Sequence, residues 1–537
     1  MNPDEERSNL DVVLVAAECK GLAKVGGLAD VIADLSRGLV EAGVKTRIIM
    51  PRYDSVVTEW KPRGDLRVEF AGQEYQVDLG TTMCGPVEVW LVGQRWFFGG
   101  ERYSGVYVDS SRYRKGPFED DSRRFAFFCN AVARLLDSHP DFSDVNLAHC
   151  HDWHTGTLPV LVRLTDAYTR LARRLGFLFT IHNLDYQGVR PLKSGAGGSP
   201  ESPEGWFGEW YRQMLYHPRF ADIRDPAHEH CYNPMRAGMR LCDRVNTVSP
   251  GYAEEITRPD DSEANFVGGR GLEDDLRYLA ADGRLSGILN GIYYDEHSPA
   301  LLDPPYSAET ENWRDEKTQH KQAVYSLLQS DPPEPATFKL PSATEFMDRP
   351  LAVAVTRMAD QKVSLLLDGG VNSVLQRVCR LPVTVVILGT GELEQPLLER
   401  AGRVEGGNCG VYLRFDNSLA RTLYAGADLF LMPSDFEPCG ISQMVAMSYG
   451  TLPIVSAVGG LKDTVEHEVT GFVFSGDDRG QTANNFVDTT TGAVELFQSE
   501  PTRAQSMQKA AMTRRFTWTR AAADYVDLYQ TILRSRS

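Results

Sequence analysis

The chain contains 537 residues, of which 42% are hydrophobic and 24% are charged; this is an ordinary globular composition in a chain too long for one hydrophobic core. We therefore predict two large domains or three small ones. Its 56 basic and 73 acidic residues give a formal net charge of −17, which argues against a nucleic acid or an anionic membrane as partner, because phosphate binding requires clustered Lys and Arg.

The cysteines and the N-terminal residues both favour a cytoplasmic location. Nine cysteines are scattered without a Cys-x-x-Cys pair, which suits a reducing compartment. The first apolar run, Val12 to Ala17, is shorter than the core of a signal peptide. No segment approaches the roughly 20 apolar residues that span a bilayer. A plastid location stays open, although no transit peptide is recognisable.

The first elements predict a parallel α/β sheet. Val12 to Ala17 reads as a buried strand, the apolar positions between 28 and 39 recur at helical spacing, and Val44 to Met50 reads as the next strand. Residues 24–27, just before the helix, carry a lysine and two glycines that would let backbone amides and an ammonium approach a phosphate. A helix-capping loop with an exposed lysine is the alternative.

Histidines mark the next two strand ends. Residues 147–156, Leu-Ala-His-Cys-His-Asp-Trp-His-Thr-Gly, read as a strand running into a polar loop. Three histidines would suit a metal, but no further ligands stand at suitable separations, so we predict none and interpret the loop as sugar-binding or structural. Phe177 to Ile181 predicts a strand that ends in His182, where open α/β sheets bind ligands. A structural histidine is the alternative.

A second α/β series fills the other half of the chain. Residues 193–230 read as an irregular insertion, and the prolines of 330–350 predict a linker. Strands follow at Leu351 to Val355, Val383 to Leu388 and Val411 to Arg414. The Gly-Thr-Gly turn after the second of these lacks the third glycine of a dinucleotide fingerprint, and the chain has no Walker phosphate loop.

The segment 429–465 combines features of an anion site. An apolar strand, Leu429 to Pro433, ends in a loop that holds Glu437 between an aromatic residue and a proline. We predict a helix from about Ile441 and, after another strand, a second helix that opens at Gly459-Gly460. Free amides and dipoles at two helix N-termini side by side would suit a diphosphate.

Two cations accompany this segment. Arg357 and Lys362 follow a strand end, five residues apart, and would hold a diphosphate leaving group together with helix-end amides and without a metal. Glu437 could hydrogen-bond a sugar or face positive charge at an anomeric carbon. Surface charges at a helix start and a helix-capping carboxylate are the alternative interpretations.

Six motifs in the same order resemble those of bacterial glycogen synthases and plant starch synthases, over a span from about Val12 to about Tyr529. They are Lys-Val-Gly-Gly-Leu at 24–28, His-Asp-Trp-His-Thr-Gly at 151–156, His-Asn-Leu at 182–184, Leu-Asn-Gly at 289–291, Arg357 with Asp-Gln-Lys at 360–362, and Phe-Glu-Pro-Cys-Gly at 436–440 followed by Gly-Thr-Leu-Pro at 450–453.

The resemblance implies an α/β GT-B fold: two Rossmann-like domains facing across a cleft, with a C-terminal helix that crosses back to the N-terminal domain. On this basis we expect an acceptor-side domain at 1–288, a nucleotide-sugar domain at 289–515, and the crossing helix within 516–537.

The implied activity is transfer of glucose from ADP-glucose, in preference to UDP-glucose, to the non-reducing end of an α-1,4-glucan such as glycogen or starch. The anomeric configuration would be retained, and no metal or other cofactor would be needed. Two competing readings are a related transferase that makes a small glucoside or disaccharide, and a catalytically silent glucan-binding relative.

By the same resemblance, Glu437, His182, Asp152, Arg357 and Lys362 would be the catalytic residues. Lysine and glycines of the 24–27 loop would contact the donor phosphates, and an aromatic residue at 415 would lie against the adenine. The substrate-binding positions would be Lys24, Gly26, Gly27, Asp30, Trp153, Asn183, Asn290, Gln361, Gly391, Phe415, Cys439, Gly440, Ser442, Gly459 and Gly460.

The chain departs from the family pattern at three places. Val363 replaces a glycine beside the phosphate-binding lysine, which would alter phosphate approach. Ser442 replaces a threonine and keeps the hydroxyl. The insertion at 193–230 lies where acceptor contacts are expected, so it bears on glucan length preference.

Overall fold

The structure is a computed structural model that describes residues 9–56, 58–99, 105–109, 116–117, 120–194 and 201–536. These residues form two lobes, each built on a sheet with a parallel centre. The strands are β1 Asp11–Val15, β2 Lys45–Pro51, β3 Lys61–Phe70, β4 Gln73–Cys84, β5 Val87–Gly93, β6 Val108–Asp109, β7 Gly116–Pro117, β8 Leu147–His151, β9 Gly176–Ile181, β10 Arg190–Pro191, β11 Cys231–Tyr232, β12 Arg244–Thr247, β13 Leu285–Gly287, β14 Leu351–Val355, β15 Thr384–Gly389, β16 Cys409–Leu413, β17 Leu429–Met432, β18 Leu452–Ser456 and β19 Phe472–Phe474.

Helices surround both sheets, and most predicted elements appear within a few residues of their expected bounds. The helices are α1 Gly27–Glu41, α2 Arg95–Phe98, α3 Asp121–Ser138, α4 Thr157–Leu164, α5 Thr169–Arg174, α6 Pro203–Phe207, α7 Glu209–Tyr216, α8 Pro234–Leu241, α9 Pro250–Glu255, α10 Glu273–Ala281, α11 Trp313–Ser330, α12 Ala343–Asp348, α13 Asp360–Leu367, α14 Val374–Val378, α15 Glu394–Gly402, α16 Asn417–Gly426, α17 Ser442–Ser448, α18 Gly459–Thr464, α19 Arg479–Ser499, α20 Pro501–Thr513 and α21 Trp518–Arg536.

The first lobe holds a nine-stranded sheet in the order β13-β12-β9-β8-β1-β2-β5-β4-β3. Every residue of β1, β8 and β9 is buried, because helices cover both faces of the parallel part, and this explains their nearly continuous apolar sequences. The edge strand β3 and its neighbour β4 pair antiparallel instead. In β3, buried Leu66, Val68 and Phe70 alternate with exposed residues, as expected for a strand with one covered face.

The second lobe holds a six-stranded parallel sheet in the order β16-β15-β14-β17-β18-β19. Its first strand in the chain, β14, lies in the middle, with β15 on one side and β17 on the other. The chain therefore reverses its direction of travel between β14 and β17, and such a switch point leaves a crevice at the carboxyl ends of the two strands.

The last helix, α21, leaves the second lobe and packs on α1 of the first lobe, so the predicted crossing is confirmed. A Cβ atom added at Gly38 in α1 would lie 3.3 Å from Cβ of Ala522 in α21, which shows how closely the two helices approach. Tyr525 and Tyr529 in α21 are completely buried against the first sheet.

One expectation about local structure is wrong. Residues 201–230 are not irregular: they include α6 and α7, whose Phe207, Tyr211 and Met214 are buried at helical spacing. Residues 195–200 of this segment lie outside the described part. The side chain of Val363 is completely buried in the core on the inner face of α13, and its effect on phosphate approach stays a prediction.

None of the helices in the described residues has the length and apolar character needed to cross a membrane.

Candidate active site

A cleft of about 1990 Å³ separates the two lobes, and its walls carry residues from both. All predicted site residues line it except Phe415, Gly459 and Gly460. The predicted residues in its walls are Lys24, Gly26, Gly27, Asp30, Asp152, Trp153, His182, Asn183, Asn290, Arg357, Gln361, Lys362, Gly391, Glu437, Cys439, Gly440 and Ser442.

The topology of the two sheets explains why residues so distant in sequence meet. Lys24 and Asp152 follow β1 and β8, which are neighbours at the switch point of the first sheet. Arg357 and Glu437 follow β14 and β17, which are neighbours at the switch point of the second sheet. The two crevices of the sheets thus open into the same cleft.

Lys362 and Glu437 form an ion pair on the wall of the cleft, between Nζ and Oε2. Lys362 lies in the first turn of α13, and Glu437 lies in the loop after β17. Both side chains are mostly buried, with 14% and 9% of their surfaces exposed, and Arg357 lines the same wall. The second lobe therefore presents this ion pair and the Arg357 guanidinium to the cleft.

The glycine pair after β18 holds the Glu437 loop in place. A Cβ atom at Gly459 would lie 2.0 Å from the carbonyl oxygen of Glu437, and one at Gly460 would lie 2.3 Å from that of Cys439. Gly459 also has a φ of +43°, a conformation that favours glycine. The N–H of Gly460 donates to the Glu437 carbonyl over 3.2 Å. Both glycines thus permit a backbone approach that positions Glu437.

The prediction of a second free helix N-terminus at Gly459-Gly460 is wrong. The N–H of Gly459 donates to both carboxylate oxygens of Glu255, at 2.8 and 2.9 Å, and Glu255 also pairs with Lys462 at 3.0 Å. Glu255 belongs to α9 in the first lobe. The Glu255 carboxylate occupies the N-terminal end of α18, where an anionic ligand was predicted, and its hydrogen bonds link the two lobes.

The predicted phosphate loop of the first lobe is also engaged by protein groups. Lys24 Nζ lies 2.6 Å from Asp30 Oδ2. The N–H groups of Val25 and Gly26 donate to Glu18 Oε2 over 2.5 and 3.0 Å. Glu18 lines the cleft and also accepts from Tyr107. Sequence reasoning missed Glu18, although an acidic residue directly after a central parallel strand was a usable signal.

Asp152 lies at the cleft with a strained backbone. Its φ is +56° and its ψ is 178°, which costs a residue other than glycine about 1–3 kcal/mol. The carboxylate accepts the N–H groups of His182 and Asn183, at 2.7 and 3.4 Å. Burial nevertheless dominates and raises the pKa of Asp152 to about 7. This carboxyl group is therefore poised to titrate near neutral pH.

His182 contributes a neutral imidazole to the same wall. Its Nε2 lies 3.0 Å from Nδ1 of His151, and burial lowers the pKa of His182 to about 3.

Within the described ranges, no group of three or more His, Cys, Asp or Glu side chains is arranged to hold a metal ion. His149 instead bonds Tyr529 and Thr180, at 2.8 and 2.5 Å.

Phe415, predicted to lie against an adenine, does not line the cleft, and 78% of its surface is exposed. It follows β16, which is an edge strand of the second sheet and thus distant from the switch point. The aromatic residues that do line this lobe's wall include Tyr424 in α16, which is 7% exposed. No pattern in the sequence distinguished Tyr424 from an ordinary core residue.

Two family models match the chain in the regions that build the two sheets. A model described as the starch synthase catalytic domain matches residues 11–278, and one described as glycosyl transferases group 1 matches residues 349–490. The first region supplies β1 to β12, and the second supplies β14 to β19.

Relatives match over almost the whole length. A glycogen synthase of Geobacillus thermodenitrificans (strain NG80-2) is 33% identical over 543 residues, covering 98% of each chain. One of Desulfitobacterium hafniense (strain DSM 10664 / DCB-2) is 33% identical and covers 97% of this chain and 99% of the relative. The solved catalytic domain of Starch Synthase IV from Arabidopsis thaliana, bound to ADP and acarbose, has a TM-score of 0.77 at 27% identity, covering 98% of this chain and 99% of that one.

Proposed function

The chain belongs to the family of glycogen and starch synthases and shares their GT-B fold, and from this premise we propose its reaction, donor and site residues. The protein is a glucosyltransferase that elongates a glucan. It transfers glucose from ADP-glucose to the non-reducing end of an α-1,4-glucan, glycogen or starch, with retention at the anomeric carbon.

The observation that carries this proposal is the convergence of Arg357, Lys362 and Glu437 on one wall of the cleft, across from Asp152 and His182 of the other lobe. A sugar diphosphate needs cations for its phosphates and polar groups for its sugar hydroxyls. Two cations at the switch point of the second sheet and two polar side chains at that of the first meet both needs.

Arg357 and Lys362 stabilise the negative charge that develops on the diphosphate when the bond from the anomeric carbon to the phosphate oxygen breaks. The electron pair of that bond stays with the departing diphosphate. An acceptor hydroxyl forms the new bond to carbon and gives its proton to the departing diphosphate. Glu437 holds Lys362 beside the cleft, so the ammonium group is positioned where the diphosphate is expected to leave.

Glu437 and the residues of the first lobe act on the sugar. The carboxylate of Glu437 lies at the carboxyl end of β17, where it faces the positive charge that develops on the sugar ring. Asp152 and His182 hold glucose hydroxyls. Asn290 is 3% exposed and lines the cleft, and we assign it to the wall of the sugar pocket.

ADP-glucose as the preferred donor is supported by the ADP bound to the Arabidopsis enzyme. The test is release of nucleoside diphosphate from purified protein with glycogen and either ADP-glucose or UDP-glucose. We expect release from ADP-glucose that depends on glycogen and lengthens its outer chains. Release without a lengthened glucan would favour a small glucoside product, and no release from either donor would favour a silent glucan-binding relative.

We also propose that the protein acts in the cytoplasm without a cofactor, a nucleic acid or a membrane as partner. The formal net charge of −17 supports the absence of a nucleic-acid or membrane partner. Activity that persists in the soluble fraction of lysed source cells, and after dialysis against EDTA, is the expected result; activity confined to the membrane fraction or lost with EDTA would contradict it.

A further inference from the structure

His151 touches the site only through His182. It is the last residue of β8, and His182 directly follows the neighbouring strand β9. His151 is completely buried and does not line the cleft, whereas His182 does. Nδ1 of His151 lies 3.0 Å from Nε2 of His182. The two rings are thus joined by one hydrogen bond, with only the second ring open to a ligand.

The far side of His151 is closed by the protein. The ring of His149 lies 4.0 Å from that of His151, centroid to centroid, and is itself fixed by Tyr529 of α21 and by Thr180. Nε2 of His151 is buried and has no hydrogen-bond partner in the part of the chain that the structure describes. Among the described residues, the His151 ring therefore has one polar contact, the one with His182.

Both imidazoles are neutral at physiological pH. Burial lowers the pKa of His151 well below its ordinary value and that of His182 to about 3. A neutral imidazole has one N–H donor and one acceptor nitrogen. Of the two nitrogens that meet, one must donate and the other must accept.

The unpartnered Nε2 of His151 decides which nitrogen donates. If that nitrogen carried the proton, a buried N–H would lack an acceptor, and buried donors without partners are rarer and costlier than acceptors without donors. With the proton on Nδ1, only a lone pair is left unpaired and the N–H donates to His182. The second arrangement is favoured.

We propose that His151 is a positioning residue that donates its Nδ1–H to His182 Nε2, and thereby holds His182 in the tautomer that presents Nδ1–H to the cleft as a donor. His182 then offers a sugar oxygen a fixed hydrogen bond, in one ring orientation. The kinetic consequence rests on the proposed glucosyltransferase function, but the tautomer does not.

The first test is ¹⁵N NMR of protein labelled only at histidine. With 11 histidines in the chain the spectrum is sparse, and a His182→Asn variant assigns the His182 signals. We expect a protonated Nδ1 and an unprotonated Nε2 at His182 in the wild type. A protonated Nε2 at His182 would overturn the proposal, whether or not the protein proves to be a glucosyltransferase.

The second test compares two substitutions of His151. Asn places an amide N–H near the position of Nδ1, whereas Leu fills similar space without a donor. We expect His151→Leu to lower kcat at least about tenfold, equal to about 1.4 kcal/mol, with KM for glycogen little changed, and to give His182 signals from both tautomers. His151→Asn should restore most of kcat and the single tautomer.

Equal kcat in the Leu and Asn variants, or an unchanged His182 tautomer in His151→Leu, would overturn the proposal. If His151→Leu does not fold, the wild-type spectrum and the His151→Asn variant still decide it.

Discussion

Two lysines at the cleft form ion pairs with carboxylates of the protein. Lys362 is paired with Glu437, and Lys24 with Asp30. A ligand that brings phosphates must therefore share or replace these carboxylates as partners of the two ammonium groups. The pairs keep the lysines in place, and the cost of ordering their side chains is met before the donor arrives.

We predict that Lys362→Met lowers kcat by about 10²–10³-fold, since it removes a charge that stabilises the leaving diphosphate. The melting temperature should also fall, because the Glu437 carboxylate, with 9% of its side chain exposed, loses its ion-pair partner. Steady-state kinetics and thermal melts measure both. Lys509→Met, at an exposed position on α20, is the matched control. Wild-type kcat with a strongly lowered melting temperature would assign Lys362 a structural role.

The raised pKa of Asp152 predicts a pH-dependent stability. The folded-state pKa of about 7 exceeds the unfolded value of about 4, so between these values the unfolded chain ionises first and folding loses free energy as pH rises. Above pH 7 this loss is complete. Asp152→Asn removes this ionisation and its cost to folding, and it keeps a side-chain oxygen that can accept the His182 N–H.

The melting temperature of Asp152→Asn should therefore exceed that of the wild type by more at pH 8 than at pH 5. Thermal melts of both proteins across this range measure the difference. A difference that is constant with pH would show that Asp152 does not titrate in this window.

At the scale of secondary structure, two short helices from opposite lobes, α9 and α18, pack against each other. Glu255 of α9 binds the first amide of α18 and Lys462, and the N–H of Gly251 donates to Asp463 over 2.7 Å. These contacts lie beside the loop that carries Glu437, since Ser249 donates to the Pro438 carbonyl over 2.6 Å. The contact between α9 and α18 thus couples the relative orientation of the two lobes to the position of the Glu437 carboxylate.

We predict that Glu255→Ala lowers the melting temperature, because it leaves a buried N–H and an ammonium without their partner, at a cost of about 1–3 kcal/mol. It should also raise KM for the donor, as the lobes lose a contact that orients them. Glu254→Ala is the control, since Glu254 on the same helix is 79% exposed and reaches Lys462 only at 4.0 Å. Equal effects of the two substitutions would contradict the assignment.

The crossing helix α21 contributes a buried hydrogen bond far from its own lobe. Tyr529→Phe removes the hydroxyl that lies 2.8 Å from His149 Nδ1 and should destabilise the protein by about 1–3 kcal/mol. Thermal or urea unfolding measures the loss. Tyr216→Phe, at a residue that is 85% exposed, should change stability by less than about 0.5 kcal/mol; a similar loss in both variants would argue against the hydrogen bond.

At the scale of the whole molecule, a ligand in the cleft contacts both lobes and should stabilise them together. At a concentration of ADP about 100 times its dissociation constant, we expect about 2.7 kcal/mol of stabilisation and a corresponding rise in melting temperature. UDP at the same concentration should give a smaller rise. Arg357→Ala should remove most of the ADP effect, whereas an equal or larger effect of UDP would contradict the proposed donor preference.

Closure of the lobes around the donor is a further expectation at this scale, because Lys24 must reach phosphates that the second lobe holds. Small-angle X-ray scattering with and without ADP-glucose measures it. A smaller radius of gyration with the donor is the expected result. An unchanged radius would indicate that the cleft is closed before the donor binds.

The sequence alone determined where the central parallel strands lie along the chain, the two α/β lobes and most residues of the cleft. It could do so because buried parallel strands are marked by continuous apolar runs, and because ligands lie at their carboxyl ends. His182, Arg357 and Glu437 were found by their position after such a run. These are local signals, so they can be recognised in the sequence without knowledge of the fold.

Only the tertiary structure decided which partners these residues have. Glu255 fills the helix end at Gly459, Glu18 takes the amides of the Lys24 loop, and Phe415 lies beyond an edge strand, outside the cleft. Each outcome depends on contacts between segments distant in the chain or on the order of strands within a sheet. Neither is encoded in local periodicity, because pairing partners and strand order are set by how the whole chain packs.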